Sequence, residues 1–153
     1  MFRRPLLVPF LALAVALAAH GAEDPLARYD RVVVEPAKTS IYVGSVTMAF
    51  SPALRKKGIY EADYSAKVFP FFFMNEKGKL FLEAPDDALR RLARGETVDF
   101  TGRGVNADGK ERRFEGRAVP ADAATGKLKV RAIVSKRIEL VFNTTYRFAP
   151  EAK

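Results

Sequence analysis

Cysteine and tryptophan are absent from the 153 residues, and the single histidine, His20, lies close to the N-terminus. Without thiols the chain has no disulfide, no thiol redox chemistry and no Cys–His nucleophile. If His20 leaves with a cleaved leader, the working protein has no imidazole either. That removes the commonest ligand of zinc and copper sites and the usual base of a serine hydrolase. No metal and no cofactor is expected, and a catalyst would be limited to carboxylates, lysine or tyrosine.

Asp86 with Asp87, Glu61 with Asp63, and Asp99 with Glu115 are the carboxylate pairs to consider, since glycosidase chemistry needs two carboxyls about 5–9 Å apart across a cleft. The first pair is better explained as acids in the first turn of a helix, and the others as surface residues of strands. The chain therefore reads as a non-enzyme. Ala124-Thr125-Gly126-Lys127 lacks the first glycine and the following hydroxyl of a phosphate loop. Asn143-Thr144-Thr145 is a formal glycosylation sequon, but it falls within a strand pattern in an alanine- and arginine-rich chain of bacterial character.

A long apolar run occurs only at the start. Met1-Phe2-Arg3-Arg4 precedes apolar residues 5–19, and His20-Gly21-Ala22 precede the acids Glu23 and Asp24. A basic start, an apolar stretch and small residues before a polar one are the features of a secretory signal peptide. The run of about 15 residues is short of the roughly 20 that a spanning helix needs. The expected organisation is a cleaved leader over residues 1–22 and one β-rich domain over 23–153. Arg3-Arg4 lacks the preceding hydroxyl residue of a twin-arginine signal, and the missing cysteine excludes a lipoprotein anchor. The protein is expected to be exported, to the periplasm or the extracellular space of a bacterium. A cut after Ala22 removes Arg3 and Arg4 and leaves 24 basic against 18 acidic residues, a charge of +6.

With 48% hydrophobic and 11% aromatic residues, the chain has the material for a packed core. At about 130 residues such a domain buries near two-thirds of its unfolded surface, enough to fold without disulfides. Ten of the twelve phenylalanines follow the leader and supply much of that core.

The dominant period is two. Over 138–148, Ile138, Leu140, Phe142, Thr144, Tyr146 and Phe148 share one face, the pattern of a long half-buried strand. Residues 127–134 alternate before it, and Ser135-Lys136 joins the two as a hairpin. Residues 97–105 and 111–119 flank a loop whose Asp108-Gly109 supplies the positive φ that hairpins use. Further strands are expected at 42–50, 59–68, 31–35 and 79–83, with a polar loop over 51–58 and a turn over 75–78. One helix, about 86–94, is marked by Pro85 and two acids at its start, arginines at its end and Gly95 beyond. The fold class is mainly β, an antiparallel meander of about eight strands forming a small barrel, half-barrel or sandwich, with the helix packed across an open end or a face.

Two features suggest function. Phe69, Pro70, Phe71, Phe72, Phe73 and Met74 are apolar on both pleat faces. They are expected as a strand sandwiched between sheet and helix or, functionally, as the wall of an apolar cavity completed by Tyr64 and Phe100. Arg103, Arg113, Arg117, Lys127, Lys129 and Arg131, with Arg147 and the helix arginines Arg90, Arg91 and Arg94, are expected on an outer face. There they either bind anions or keep a solvated sheet soluble, with Glu111, Glu115 and Glu139 interleaved.

The expected function is that of an exported, non-catalytic binding or carrier protein for an amphipathic, anionic envelope molecule, a lipid or an envelope polymer. The alternative is a structural or interaction module of the bacterial envelope with a filled core. Export removes nucleic acid as a partner, and peripheral membrane contact remains open. Tyr146-Arg147-Phe148 resembles the aromatic ending of outer-membrane strands. An integral barrel is disfavoured because several strands fall short of the required 9–11 residues and the helix has no place in it.

Overall fold

The computed structural model describes residues 26–150. The leader expected over residues 1–22 lies outside the described residues. Ten strands and one α-helix follow in order: β1 Arg31–Val34, β2 Ala37–Ile41, β3 Gly44–Phe50, β4 Ala53–Lys56, β5 Ile59–Phe69, β6 Glu76–Glu83, α1 Asp86–Ala93, β7 Val98–Asn106, β8 Glu111–Pro120, β9 Thr125–Ser135 and β10 Ile138–Phe148. Short 3-10 turns occur at Ala27–Tyr29 and Phe72–Met74.

All ladders are antiparallel, and the strands run β2-β3-β5-β4-β1-β10-β9-β8-β7-β6, with β6 pairing back onto β5. That last ladder closes an eight-stranded barrel from which β2 and β3 extend as two outer strands. β5 is the branch point, because one of its edges pairs with β4 through Ile59 to Glu61 and with β3 through Tyr64 to Phe69. The seam joins β1 to β10, with Val32 opposite Phe148 and Val34 opposite Tyr146.

Alternation decides which residues go inside. On β10 Phe142 and Tyr146 are buried while Glu139, Asn143 and Arg147 are exposed, and on β9 Val130 and Ala132 are buried while Lys127, Lys129 and Arg131 are exposed. β-branched and aromatic side chains fit this pleated, half-buried setting. The inward residues form two clusters stacked along the barrel. The lower contains Tyr29, Tyr60, Leu89, Leu92, Val98, Phe100 and Tyr146. The upper contains Val46, Met48, Tyr64, Phe114, Val130 and Phe142.

Helix α1 belongs to the lower cluster, where it buries Ala88, Leu89 and Leu92. Asp86 and Asp87 in its first turn and Arg90 and Arg91 in its last match the helix dipole. Its start is fastened by Arg55 of β4, whose nearly buried guanidinium donates to the Ala84 carbonyl at 3.1 and 2.8 Å and to Asp86 at 2.6 Å. That hydrogen bond holds the Asp86 carboxyl below its ordinary value. Tyr60 completes the lower end by donating its hydroxyl to the carbonyl of Tyr29.

Four sequence expectations need correction. Tyr42 does not begin a strand: it sits with Val43 in the turn between β2 and β3, fully exposed. The segment 51–58 is not all loop, since Ala53–Lys56 is β4, and the turn expected over 75–78 lies earlier, leaving Glu76, Lys77 and Gly78 in β6. Residues 69–74 are not a strand under the helix. Only Phe69 belongs to β5, and the rest form the β5–β6 connection at the end opposite α1. A third aromatic layer has no room there, because the lumen is already filled by the two clusters.

Candidate functional site

Strands β2, β5, β7 and β9 all run toward the upper end, so four connections meet there, at residues 42–43, 70–75, 107–110 and 136–137. The first two touch. Gly44 has φ +110°, and a Cβ placed on it would lie 1.8 Å from the Phe69 carbonyl oxygen, so the close packing of this turn against the aromatic connection requires glycine. The third is tied down by the Ala107 amide, which donates to the Lys77 carbonyl at 3.0 Å.

The residues expected to form one ligand wall divide into two sets. Tyr64 and Phe100 are buried in the upper and lower clusters, and Phe71 packs partly buried against the upper one. Phe69, Phe72, Phe73 and Met74 point outward, with exposures of 59%, 62%, 85% and 58%. Ring contacts brace this group edge-on, with Phe69 and Phe72 at 5.9 Å and Phe71 and Phe73 at 6.0 Å. Tyr42 and Val43, on the touching turn, extend the same apolar surface.

Inside, the space between the clusters is a cavity of about 60 Å³ lined by Val34, Ala62, Leu82, Phe100, Leu128 and Val130 among others. Ligand pockets usually run to about 300–1,000 Å³. The lumen is closed above by polar groups. Arg112 donates from Nε to Glu76 at 3.1 Å and from Nη1 to the Val134 carbonyl at 3.3 Å, and Asn106 donates to Glu76 at 2.6 Å. Both members of the Glu76–Arg112 pair are about one-fifth exposed. Beneath them the Tyr64 hydroxyl is buried without a hydrogen bond of ordinary geometry, its ring edge-on to Phe114. Burial first, and then the charge of Glu76, push its pKa up to about 12. Gly104 leaves the space these rings occupy, since a Cβ there would stand 2.6 Å from Phe114 and 3.0 Å from Tyr64. Above this plug a hollow of about 320 Å³ opens to solvent between Phe73, Met74, Lys110 and Arg112.

The six basic residues expected on an outer face are all exposed there, on β7, β8 and β9. Four of them are paired. Arg117 makes a two-pronged contact with Asp99 at 2.8 and 3.3 Å, Arg131 bridges Glu115 at 2.9 Å and Glu139 at 2.6 Å, Arg113 reaches Glu115 at 3.1 Å, and Arg103 reaches Glu111 at 3.5 Å. The hydrogen bonds from Arg117 and Arg131 hold Asp99 and Glu139 below their ordinary values. Lys127 and Lys129 have no ion-pair partner among the described residues. The wall is thus largely neutralised by its own acids.

Sequence reasoning missed Tyr42, Val43 and the Glu76–Asn106–Arg112 plug. Alternation runs unbroken through Tyr42, so nothing local marks a turn, and the plug residues come from three separate strands. Among the described residues no cluster of His, Cys, Asp and Glu side chains is built to hold a metal ion, and no helix is long and apolar enough to cross a membrane. No family model, no curated protein and no solved structure matches the chain.

Proposed function

We propose that the protein is a non-catalytic interaction module exported to the bacterial cell envelope, a filled barrel that docks on another envelope component through its aromatic upper end. The observation that carries this reading is the gathering of Phe69, Phe72, Phe73, Met74, Tyr42 and Val43 in solvent on two touching connections and the end of β5, above a lumen that is packed. Single exposed apolar side chains are ordinary on any protein, whereas a contiguous group of them marks a contact surface.

The carrier reading asks more of the same barrel. A lumen cavity of about 60 Å³ would have to widen several-fold, against two packed clusters and the polar plug, before it held an acyl chain. The orientation of the strands also argues against a spanning barrel. Asp99, Glu115, Arg117 and Arg131 cover the outer wall, where a membrane barrel turns apolar residues to lipid. The basic wall serves solubility first, since its arginines are spent on neighbouring acids.

Fractionation of the producing cells tests this. Wild-type protein is expected to sediment with the envelope, and the double variant Phe72→Ser/Phe73→Ser to move to the soluble fraction with an unchanged melting temperature. Reversal of Arg113, Arg117 and Lys129 to Glu is expected to have the smaller effect. Envelope association that survives the double substitution overturns the reading. A lipid or other apolar molecule that native mass spectrometry finds bound one to one, in the wild type and in the double variant alike, also overturns it, in favour of the carrier.

A further inference from the structure

We infer that the occupant of the upper end is an anionic lipid bilayer, into whose headgroup region the aromatic connection inserts. This inference rests on the docking reading above and specifies its partner.

Two kinds of side chain coincide at this end. The apolar ones stand at the outermost point of the fold, with Phe73 and Tyr42 the most exposed large apolar residues described. Around them, on the same connections and the strand ends beneath, lie Lys67, Lys77, Lys110, Lys136 and Arg137, and none of the five has an ion-pair partner among the described residues. Asp108 is the exposed acid there that has no ion-pair partner among the described residues, while Glu76 is occupied by Arg112, and Glu111 and Glu139 at the starts of β8 and β10 are exposed but paired with Arg103 and Arg131. Basic charge alone does not select this end, because Lys56, Lys57 and Arg90 crowd the lower one. The lower end, however, keeps most of its apolar residues under α1, and its exposed ones, Leu54 and Ile59, lie within strands and are less than half exposed. Stable membrane attachment takes an apolar element together with a basic patch, and the upper end joins its basic residues to the larger and more exposed apolar group.

The size of the surface favours lipid over protein. A stable protein interface uses about 20–30 residues a side, and here the apolar contact is six side chains on two connections and one strand end. A projecting group of this size needs a partner that adapts to it, and a fluid headgroup layer does so without matching shape. Aromatic side chains favour that layer, where rings meet both acyl chains and water.

The absence of tryptophan makes a clean reporter available. Phe73→Trp places the sole indole at the tip, and its emission is read against vesicles of phosphatidylglycerol with phosphatidylethanolamine and against vesicles of phosphatidylcholine alone. A blue shift that saturates with the anionic vesicles, weakens with added salt and is quenched by lipid labelled in the upper acyl chain is expected. Adding Phe72→Ser is expected to lower partitioning at least about tenfold. Adding Lys136→Glu/Arg137→Glu is expected to lower it by a comparable factor. These positions are exposed, and an unchanged melting temperature confirms that each variant folds. Emission that stays unshifted with anionic vesicles in excess, or that shifts equally with phosphatidylcholine, overturns the inference. If vesicles fail while envelope association still depends on Phe72 and Phe73, the bilayer is excluded and the docking reading stands. If that dependence is also missing, both fall.

Discussion

At the lower end of the barrel Leu89 and Tyr29 are sealed beneath a helix, while at the upper end Phe73 and Tyr42 stand in water. Both ends are built from large apolar side chains on short connections. The lower end is fastened by side chains that reach across elements, such as Arg55 to Asp86 and Tyr60 to Tyr29. The upper end is fastened by backbone contact and by a polar plug that stops below the aromatic residues. Burying a side chain like Leu89 is worth about 1.5–3 kcal/mol to the fold. The exposed rings return nothing comparable, so stability explains one end and not the other.

Alkali gives the harshest test of the buried half. Burial raises Tyr60 above the ordinary 10.0 and holds Tyr64 and Tyr146 at about 12. Unfolded tyrosines ionise near 10.0 while these stay neutral, so the stability they contribute is whole below that pH and is lost as pH rises toward 12. Melting followed by circular dichroism is expected to collapse over that window, together with the growth of tyrosinate absorbance. Next in size, Leu89→Ala is expected to cost about 2–5 kcal/mol in urea denaturation, because the cavity lies under a fixed helix. Gly44→Ala tests whether the upper end has any rigidity of its own. The forced φ and the clash with the Phe69 carbonyl predict a loss of about 1–3 kcal/mol. Weakened envelope association at temperatures where the barrel is still folded is expected with it.

Asp86→Asn is a gentler probe of the lower end. The carboxyl is held below its ordinary 3.8 by Arg55, so its contribution is present above that pH and is lost as pH falls through the lowered value. Wild type and variant are expected to differ slightly in melting temperature at neutral pH and to converge in acid. The smallest effect should come from the upper end itself: Phe73→Ser is expected to change stability by less than about 0.5 kcal/mol. A larger loss would mean that the exposed ring is structural after all, and the contrast between the ends would disappear.

How far these ends were legible in the sequence differs in the same way. The period of two located β10 at 138–148, and the charge pattern around Pro85 and Gly95 located α1, because both signals are local. Barrel closure was one of three architectures left open, since the β5–β6 and β1–β10 ladders depend on which edges meet in space. Ala53–Lys56 was hidden because its four residues are too few to show alternation amid polar neighbours. Tyr42 was misplaced because tyrosine and valine favour strands wherever they occur, and the turn they make depends on Gly44 meeting Phe69. The aromatic run was conspicuous in the sequence, but its direction was not. Core and contact surface are written with the same letters, and only the filled lumen below 70–75 turns those rings outward.

The seam of the barrel has a consequence for how the protein is made. β1 and β10 are the first and last of the described strands, so Val32 cannot meet Phe148 until every strand between them is available. A partly synthesised chain presents an open β1 edge and a gap in its hydrogen-bonded wall, the kind of exposed strand that recruits other chains. Closure is therefore a late, long-range event, and proteins dominated by such pairings fold slowly. The interval before closure, more than the finished barrel, is when this chain is most exposed to aggregation and to proteolysis.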